Sequence, residues 1–429
     1  MMNKIAIPEG MQTAVFVMDS GALKDAAQVL KEYFPGKTPW IVADGNTWKA
    51  AGEKVSAVLK EAGLTAEDPE ILPAVPQPHP YESLCQELSK KITGDIVPVA
   101  VGSGVINDLV KRASGIAGVR YFCIATAASV DGYTSAGAAL SVDGLKKTMP
   151  CPAPYAVLAD TDVLRSAPPL MMAAGYADLF AKVVAGAEWM VSDLLGILPI
   201  DQKAWNLVQK NLRMWLKDSN NLGYLFDGLA STGYSMQVYN DSRPASGMEH
   251  LMSHVWEMEG LTYNGTDIFH GFKVGIGTLA AIRLMEFVLE LSETQARALA
   301  KPCESLEERQ KIVKELLKKG CYGSPEKIAF EKFKYGEAAE ERRELIFRNW
   351  DRIRYLLKKQ IFSYQETKML FQQANVPVKP QEIGLSKEQF FHGLFTAQLI
   401  RNRYTFLDLL YEAGLLEKAA ETLNIMFEE

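Results

Sequence analysis

The sequence predicts an α/β N-terminal nucleotide-binding domain followed by an all-α C-terminal domain. Short apolar runs alternate with helical patterns as far as residue 159, and helical patterns without a convincing strand follow from Leu170 onward. The chain has 429 residues, more than one hydrophobic core usually supports. The pattern breaks at Arg-Ser-Ala-Pro-Pro, residues 165–169, which predicts domains at 1–167 and 168–429.

Composition and charge exclude several classes of protein. The formal net charge of −6 argues against a nucleic-acid partner bound through a broad basic surface. The N-terminus has no apolar signal-peptide region, and the apolar run 274–291 is interrupted by Arg283, Glu286 and Glu290, so we expect neither secretion nor a membrane span. The five cysteines show neither CxxC nor paired spacing, which is typical of reduced thiols in a cytoplasmic protein; they are Cys85, Cys123, Cys151, Cys303 and Cys321.

The first half of the chain alternates strands and helices in the manner of an open α/β sheet. The predicted strands are 13–17, 39–43, 70–72, 95–101 and 121–125, and the predicted helices are 22–33, 47–62, 81–91 and 105–112. Asn46 or Thr47 is suited to cap the second helix. Pro98 counts against a central position for its strand, because proline cannot donate to the hydrogen-bond ladder.

Two further strands are predicted at 136–142 and 155–159, on either side of Lys-Lys-Thr-Met-Pro at 146–150. Lys146 and Lys147 either meet a phosphate or face solvent, and the sequence leaves both interpretations open.

Gly102-Ser103-Gly104 joins a strand to a helix and is a candidate phosphate-binding turn. Glycines allow close approach of the backbone to an anion, and a helix N-terminus supplies unpaired N–H groups. The full GxGxxG pattern is absent, so an ordinary strand-to-helix turn is the alternative. Asp44, at the end of an earlier strand, is placed to bond a ribose hydroxyl and would repel a 2′-phosphate, which favours NAD over NADP.

The segment 126–135 follows the next strand and is rich in small and hydroxyl residues. Such a loop at the carboxyl edge of a parallel sheet is typical of a ligand-binding loop, although an ordinary capping loop is the alternative.

The second half is predicted to be helical. The helix 172–182 carries one carboxylate, Asp178, in an apolar setting, so Asp178 needs a cation or strong donors nearby. Lys182 is one possible partner, and a metal shared with histidines is the other. The remaining predicted helices are 201–218, 292–300, 305–319, 324–335, 338–357, 365–373, 387–409 and 415–427.

Three histidines lie between residues 246 and 278. His250 and His254 are four apart on a helical segment, so their rings lie on one face. His270 follows a loop containing asparagine and glycine, and a short hairpin there would return it to the first pair. Two or three histidines with one carboxylate form a typical catalytic metal site, whereas a lone HxxxH is also compatible with a polar helix face.

Taken together, these motifs resemble the sn-glycerol-1-phosphate dehydrogenase family. This family belongs to the dehydroquinate synthase-like superfamily, with iron-containing alcohol dehydrogenases and glycerol dehydrogenases. The resemblance covers about residues 10–290 and is carried by segments 44–47, 102–108, 126–132, 146–148, 175–178, 243–250 and 270–271. Arg-Pro-Ala-Ser-Gly at 243–247 is the most specific of them.

The resemblance implies a role for each matching residue. The implied metal ligands are Asp178, His250 and His270, whereas His254 would contact substrate or relay a proton, and Asp131 would contact substrate, as would Asp178. The implied cofactor-binding residues are Asp44, Gly102, Gly104, Val105, Ile106, Asn107, Asp108, Thr126, Ser129 and Ser135. The turn departs from the family's commoner triple-glycine form at Val101-Gly102-Ser103-Gly104, which puts the closeness of the pyrophosphate contact in question.

The implied activity is metal-dependent hydride transfer between NAD(H) or NADP(H) and a phosphorylated triose, dihydroxyacetone phosphate, giving sn-glycerol 1-phosphate. Zinc, nickel and iron all suit an Asp/His₂ site. The resemblance also implies a cytoplasmic homodimer. The alternatives are a dehydrogenase of glycerol or another small alcohol, and a catalytically silent metal- or nucleotide-binding protein.

Overall fold

A computed structural model describes residues 2–143, 145–320, 322 and 325–428. Cys321 and the predicted helix start at Ser324 lie outside the described residues. The strands are β1 Val15–Asp19, β2 Thr38–Asp44, β3 Glu70–Leu72, β4 Ile96–Gly102, β5 Phe122–Ala125, β6 Gly137–Val142, β7 Leu145–Pro150, β8 Ala156–Asp160, β9 Thr262–Tyr263 and β10 Thr266–Asp267.

The helices of the first half alternate with these strands. They are α1 Ala26–Tyr33, α2 Gly45–Thr47, α3 Glu53–Glu61, α4 Glu82–Ser89, α5 Gly104–Ala117 and α6 Thr161–Ser166. The helices that follow are α7 Pro169–Phe180, α8 Lys182–Leu194, α9 Gln202–Gln209, α10 Leu212–Trp215, α11 Leu222–Tyr239, α12 Met248–Met258 and α13 His270–Glu290. The last part of the chain contains α14 Glu293–Leu299, α15 Leu306–Leu316, α16 Pro325–Lys332, α17 Glu337–Arg348, α18 Trp350–Gln360, α19 Tyr364–Gln373, α20 Lys387–Ala397, α21 Phe406–Glu412 and α22 Leu416–Glu421.

The chain forms two compact units, one of residues 1–179 and 213–241, the other of residues 180–212 and 242–429. The first unit contains a six-stranded parallel sheet in the order β1-β8-β5-β4-β2-β3, with β6 and β7 paired separately as an antiparallel hairpin. Helical structure dominates the second unit, whose described strands are β9 and β10. The predicted fold class is confirmed. The domain boundary predicted at residue 167 stays a prediction.

The sheet brings three predicted functional segments to one edge. Strands β2, β4 and β5 are neighbours and run parallel, so their carboxyl ends, Asp44, Gly102 and Ala125, face the same way. Gly102 pairs directly with Ala125, and the backbone N–H of Thr126 donates to the Gly102 carbonyl at 3.1 Å.

Several local predictions were wrong. Strand β4 is central despite Pro98, because the ladder to β5 begins one residue later, at Val99. The cap of α2 is Asp44, whose side chain accepts from the N–H groups of Asn46 and Thr47, and not Asn46 or Thr47. The segment 146–150, interpreted as lying between strands, belongs to β7 and pairs with β6.

The helical half also differs from expectation in several places. The predicted helix 201–218 is two helices, α9 and α10, and α8 lies beyond the predicted helix 172–182. Helix α11 was missed because it is buried over most of its surface, so it lacks the alternation of apolar and polar faces that marks an amphipathic helix. The predicted helix 387–409 is two helices, α20 and α21. The predicted helix 338–357 is interrupted at Asn349, between α17 and α18.

One helical stretch of the described residues, Pro169–Leu194, is long and apolar enough to span a membrane by length and composition. Of its most apolar window, 83% is buried inside the protein, as expected for a core helix, so there is no clear membrane span. The run 274–291, expected to be a buried helix, forms most of α13, and its residues are mostly buried.

Candidate metal centre and cofactor site

Helices α12 and α13 bring the three histidines together. His250 and His254 lie on α12, and His270 is the first residue of α13. The β9–β10 hairpin between the two helices turns at Asn264 and Gly265, whose φ angles of 51° and 74° suit a tight hairpin turn. The ring centroids of His250 and His270 are 5.4 Å apart, and those of His254 and His270 are 6.0 Å apart. The predicted return of His270 by a short hairpin is confirmed.

Each of these histidines has a carboxylate partner at Nδ1. His250 Nδ1 lies 2.7 Å from Glu249 Oε1, and His270 Nδ1 lies 3.1 Å from Glu257 Oε1. His254 Nδ1 lies 3.5 Å from the other oxygen of Glu257. Because a carboxylate accepts hydrogen bonds, these pairs place the ring proton on Nδ1 and leave the Nε2 lone pair for another partner. Burial lowers the pKa of His254 to about 3, so its imidazole is neutral at ordinary pH.

Asp178 is almost fully buried, with a relative exposure of 1%. Its Oδ2 accepts a 3.0 Å hydrogen bond from the backbone N–H of Asp131, which is one of the strong donors that the sequence requires for a buried carboxylate. Lys182, the alternative partner considered from sequence, donates to the Ala245 carbonyl at 2.9 Å.

His250 and His270 of the second unit each offer an imidazole nitrogen, and Asp178 of the first unit offers a buried carboxylate. One carboxylate oxygen and two imidazole nitrogens are a donor set that divalent transition metals accept.

The segment Arg-Pro-Ala-Ser-Gly, residues 243–247, leads into α12 through a buried polar cluster. Arg243 and Glu188 are both buried and approach to 3.5 Å, and the backbone N–H of Met248 donates to Glu188. The N–H of Gly247 donates to Glu249 Oε1 at 2.7 Å. Burial, followed by the nearby Glu249 charge, raises the pKa of Glu188. These contacts hold the N-terminus of α12, and therefore His250, in place.

The candidate phosphate-binding turn opens α5, a helix of 14 residues. Ser103 is its N-cap, and among the described contacts its hydroxyl makes no capping hydrogen bond, so the N–H groups of the first turn remain available to an anion. A Cβ on Gly104 would lie 2.8 Å from Val130 Cγ2, which explains a glycine there by packing against the 126–135 loop. Val105 lies in the first turn of α5, and Ile106 packs inward with no exposed surface.

The side chains of Asn107 and Asp108 are bonded within the protein. Asn107 donates from Nδ2 to the Gly132 carbonyl at 3.2 Å, and its Oδ1 accepts from the Tyr121 hydroxyl at 3.0 Å. Asp108 accepts from Lys111 and from the backbone N–H of Ala139. Burial raises the pKa of Asp108. These two residues hold the loop beside the turn, and any cofactor contact by their side chains remains a prediction.

The loop 126–135 is anchored by a residue that the sequence analysis missed. Lys111 has no exposed surface, and its Nζ donates to the carbonyls of Gly132 and Gly137 and to Ser135 Oγ at 2.7, 2.9 and 3.0 Å. Thr126, Ser129 and Ser135 are buried at 4–5% exposure. A lysine seven residues into a helix gives no sequence signal of burial, since lysine is usually exposed.

Asp44 ends β2 at the same edge of the sheet. Its Oδ1 accepts from the N–H groups of Asn46 and Thr47 at 2.7 and 3.0 Å. The same carboxylate therefore caps a helix and lies where a ribose hydroxyl is predicted.

Glu249 and Glu257 were present in the histidine-bearing stretch but received no role from sequence. A glutamate three residues after His254 and one turn along the same helix is the signal that would have found Glu257.

The chain is similar to several known proteins. A family model described as iron-containing alcohol dehydrogenase matches residues 17–168. The glycerol-1-phosphate dehydrogenase (NAD(P)+) of Halalkalibacterium halodurans is 35% identical over 272 residues, covering 60% of this chain and 67% of that protein. The protein of the same name from Geobacillus thermodenitrificans is 32% identical over 311 residues, covering 67% of this chain and 74% of that protein.

A solved structure shares the fold. The crystal structure of a probable glycerol dehydrogenase from Sinorhizobium meliloti 1021 has a TM-score of 0.62, 13% sequence identity, and coverage of 97% of this chain and 98% of that chain. The dehydroquinate synthase-like, iron-containing alcohol dehydrogenase fold inferred from the sequence is confirmed.

Proposed function

We propose, from the premise that the chain belongs to the glycerol-1-phosphate dehydrogenase family, that it interconverts dihydroxyacetone phosphate and sn-glycerol 1-phosphate with NAD(H) or NADP(H). The observation that carries the proposal is the pairing of His250 and His270, whose ring centroids lie 5.4 Å apart and whose Nδ1 atoms each face a glutamate. Asp178 is proposed to complete the set of metal ligands. A family match alone would be compatible with a silent relative, whereas an intact set of metal-ligand residues has a chemical purpose.

The residues present fit one divalent metal. A buried carboxylate costs several kcal/mol in free energy unless a cation or donors compensate it, and a metal beside Asp178 would do so. His250 and His270 direct their Nδ1 atoms to glutamates, so the lone pair of each ring lies on Nε2, the nitrogen proposed to bind the metal. Three protein ligands leave an open position for a substrate oxygen. An Asp/His₂ set accepts zinc, nickel or iron.

The reaction divides between the cofactors and the protein. The nicotinamide supplies or accepts the hydride, and a bound divalent metal supplies Lewis acidity toward the substrate's C2 oxygen. Asp131 is proposed to contact the substrate, and its backbone bond to Asp178 keeps the 126–135 loop beside the metal-binding carboxylate. The neutral imidazole of His254 is proposed to pass a proton to or from the C2 oxygen.

The cofactor is proposed to lie along the carboxyl edge of the parallel sheet. The α5 N-terminus would bind the pyrophosphate through its backbone N–H groups, and Asp44 would accept from the ribose hydroxyls. Gly102, Gly104, Val105, Ile106, Asn107, Asp108, Thr126, Ser129 and Ser135 would form this site. The Asp44 carboxylate supports a preference for NAD(H), because it would repel the 2′-phosphate of NADP(H).

The same proposal includes a cytoplasmic homodimer without a nucleic-acid partner. Free thiols at Cys85, Cys123, Cys151 and Cys303 support a reducing compartment. Light scattering of the purified protein tests the dimer.

A dehydrogenase of glycerol or another small alcohol is the second candidate, because it differs only in whether the substrate carries a phosphate. The test is NADH oxidation with dihydroxyacetone phosphate, before and after chelation and after adding Zn²⁺ or Ni²⁺. The product is then offered to an enzyme specific for glycerol 3-phosphate. We expect metal-dependent turnover to a product that this enzyme rejects. Turnover of dihydroxyacetone or glycerol alone would favour the second candidate, and metal binding without any turnover would favour a silent protein.

A further inference from the structure

The carboxylate of Glu257 contacts one lysine and two histidines, and one of these histidines, His270, is a proposed metal ligand. Glu257 lies near the end of α12, and its Oε1 is 3.1 Å from His270 Nδ1 and 3.0 Å from Lys273 Nζ. Its Oε2 is 3.5 Å from His254 Nδ1. The side chain is 15% exposed, so water competes weakly for these contacts.

The contacts span the two helices of the site. Lys273 lies on the first turn of α13 and also donates to the Ile268 carbonyl at 3.1 Å, in the segment that leads into that helix. Glu257 is therefore linked both to His270 and to the backbone that positions it. The ammonium of Lys273 donates to the same oxygen, Oε1, that His270 contacts, so Glu257 accepts hydrogen bonds on this side.

Carboxylate oxygens act as hydrogen-bond acceptors. Both imidazoles that contact Glu257 must therefore carry their proton on Nδ1, which leaves the lone pair on Nε2. Glu249 Oε1 likewise contacts the Nδ1 atom of one histidine, His250. Glu257 differs from Glu249 because it orients one proposed metal ligand and the proposed proton-relay residue at once.

We propose that Glu257 is a positioning residue that fixes the Nδ1–H tautomer and ring orientation of both His270 and His254. The inference rests on the proposed metal site for its functional meaning. It assigns Glu257 an effect on metal affinity, through His270, and a separate effect on proton transfer, through His254.

The test compares Glu257→Gln with Glu259→Gln. Glu259 is the control, because it lies two residues further along and approaches a different histidine, with its Oε1 2.7 Å from His392 Nδ1. The protein has 5 histidines, few enough for selective ¹⁵N labelling to report the tautomer of each ring. Zn²⁺ affinity is measured by competition with a chelating dye.

We expect Glu257→Gln to change the ring-nitrogen signals of His254 and His270, to weaken Zn²⁺ binding about 10- to 100-fold, and to lower kcat at saturating Zn²⁺. Glu259→Gln should change His392 alone and leave Zn²⁺ affinity within about twofold of the wild type. Glu257→Asp, which keeps the charge, should restore part of the affinity and serves as the second variant if the amide variant does not fold.

Unchanged tautomers and unchanged Zn²⁺ affinity in Glu257→Gln would overturn the inference. A wild-type protein that binds no metal at all would contradict the proposed function instead, and the tautomer signals would still decide whether Glu257 orients the two rings.

Discussion

Gly175 packs so closely against Ala128 that a Cβ on the glycine would lie 1.9 Å from the alanine carbonyl oxygen. This contact seats α7, the helix that carries Asp178, on the backbone of the loop that carries Asp131. A clash with a backbone carbonyl cannot be relieved by a change of rotamer.

The Gly175→Ala variant should therefore be strongly impaired. We expect a loss of about 1–3 kcal/mol in the free energy of unfolding, because the loop and the helix must separate. Urea unfolding followed by circular dichroism measures it. Gly94→Ala is the control, since a Cβ at Gly94 meets no atom within 4 Å. Equal stability of the two variants would show that the loop moves away from the added methyl group at little cost in free energy.

Asp178→Asn should remove the metal while leaving the chain folded. The amide keeps the size of the side chain but loses the negative charge that a divalent cation needs. We therefore expect the Zn²⁺ affinity to fall by about 100-fold or more. Elemental analysis after dialysis measures the metal content. Asp193→Asn, at the exposed end of α8, should keep the wild-type metal content. Retention of metal by Asp178→Asn would remove this residue from the ligand set.

His254→Asn should separate proton transfer from metal binding. Because His254 is proposed as a relay and not as a ligand, we expect full metal content with kcat lowered about 100-fold or more. Steady-state kinetics at saturating Zn²⁺ and substrate measure kcat. The exposed His79 provides the control as His79→Asn. Metal loss in His254→Asn would make His254 a ligand and contradict its assigned role.

Lys111→Met should destabilise the first unit. The substitution leaves the carbonyls of Gly132 and Gly137 and the carboxylate of Asp108 without their buried ammonium. We expect the free energy of unfolding to fall by about 3–5 kcal/mol, as when one partner of a buried ion pair is removed. Lys54→Met, on an exposed position of α3, should change it by less than about 0.5 kcal/mol. Denaturant titrations at pH 7 compare the two.

Glu412 predicts a pH dependence of stability in the second unit. Burial raises its pKa to about 7, from an ordinary value of 4.5. The folded protein therefore binds this proton more tightly than the unfolded chain, so the contribution to stability is complete below about pH 4.5 and is lost as the pH rises through about 7.

The Glu412→Gln variant should lack this contribution. Relative to the wild type, its free energy of unfolding should be larger at pH 8 than at pH 5, by about 1–3 kcal/mol. The difference between the two proteins at each pH cancels the titration of the other groups. An identical pH dependence in both would mean that Glu412 titrates normally in the folded protein.

Much of the fold was predictable because it depends on local patterns. Apolar runs of strand length alternating with amphipathic helices predicted the parallel sheet, and Asn264-Gly265 predicted the hairpin that returns His270 to α12. Helix α11 was not predictable in this way, because a helix buried on most sides has no polar face to reveal its period.

The sequence by itself determined the alternation of strands and helices, the motif-bearing segments and the choice of Asp178, His250 and His270 as candidates. Only the tertiary structure decided that Pro98 lies in a central strand, that Lys111 is buried among carbonyls, and that Glu257 contacts two histidines and a lysine. The physical reason is that periodicity is a property of neighbouring residues, whereas the partners of a buried charge are chosen by packing between segments that are distant along the chain.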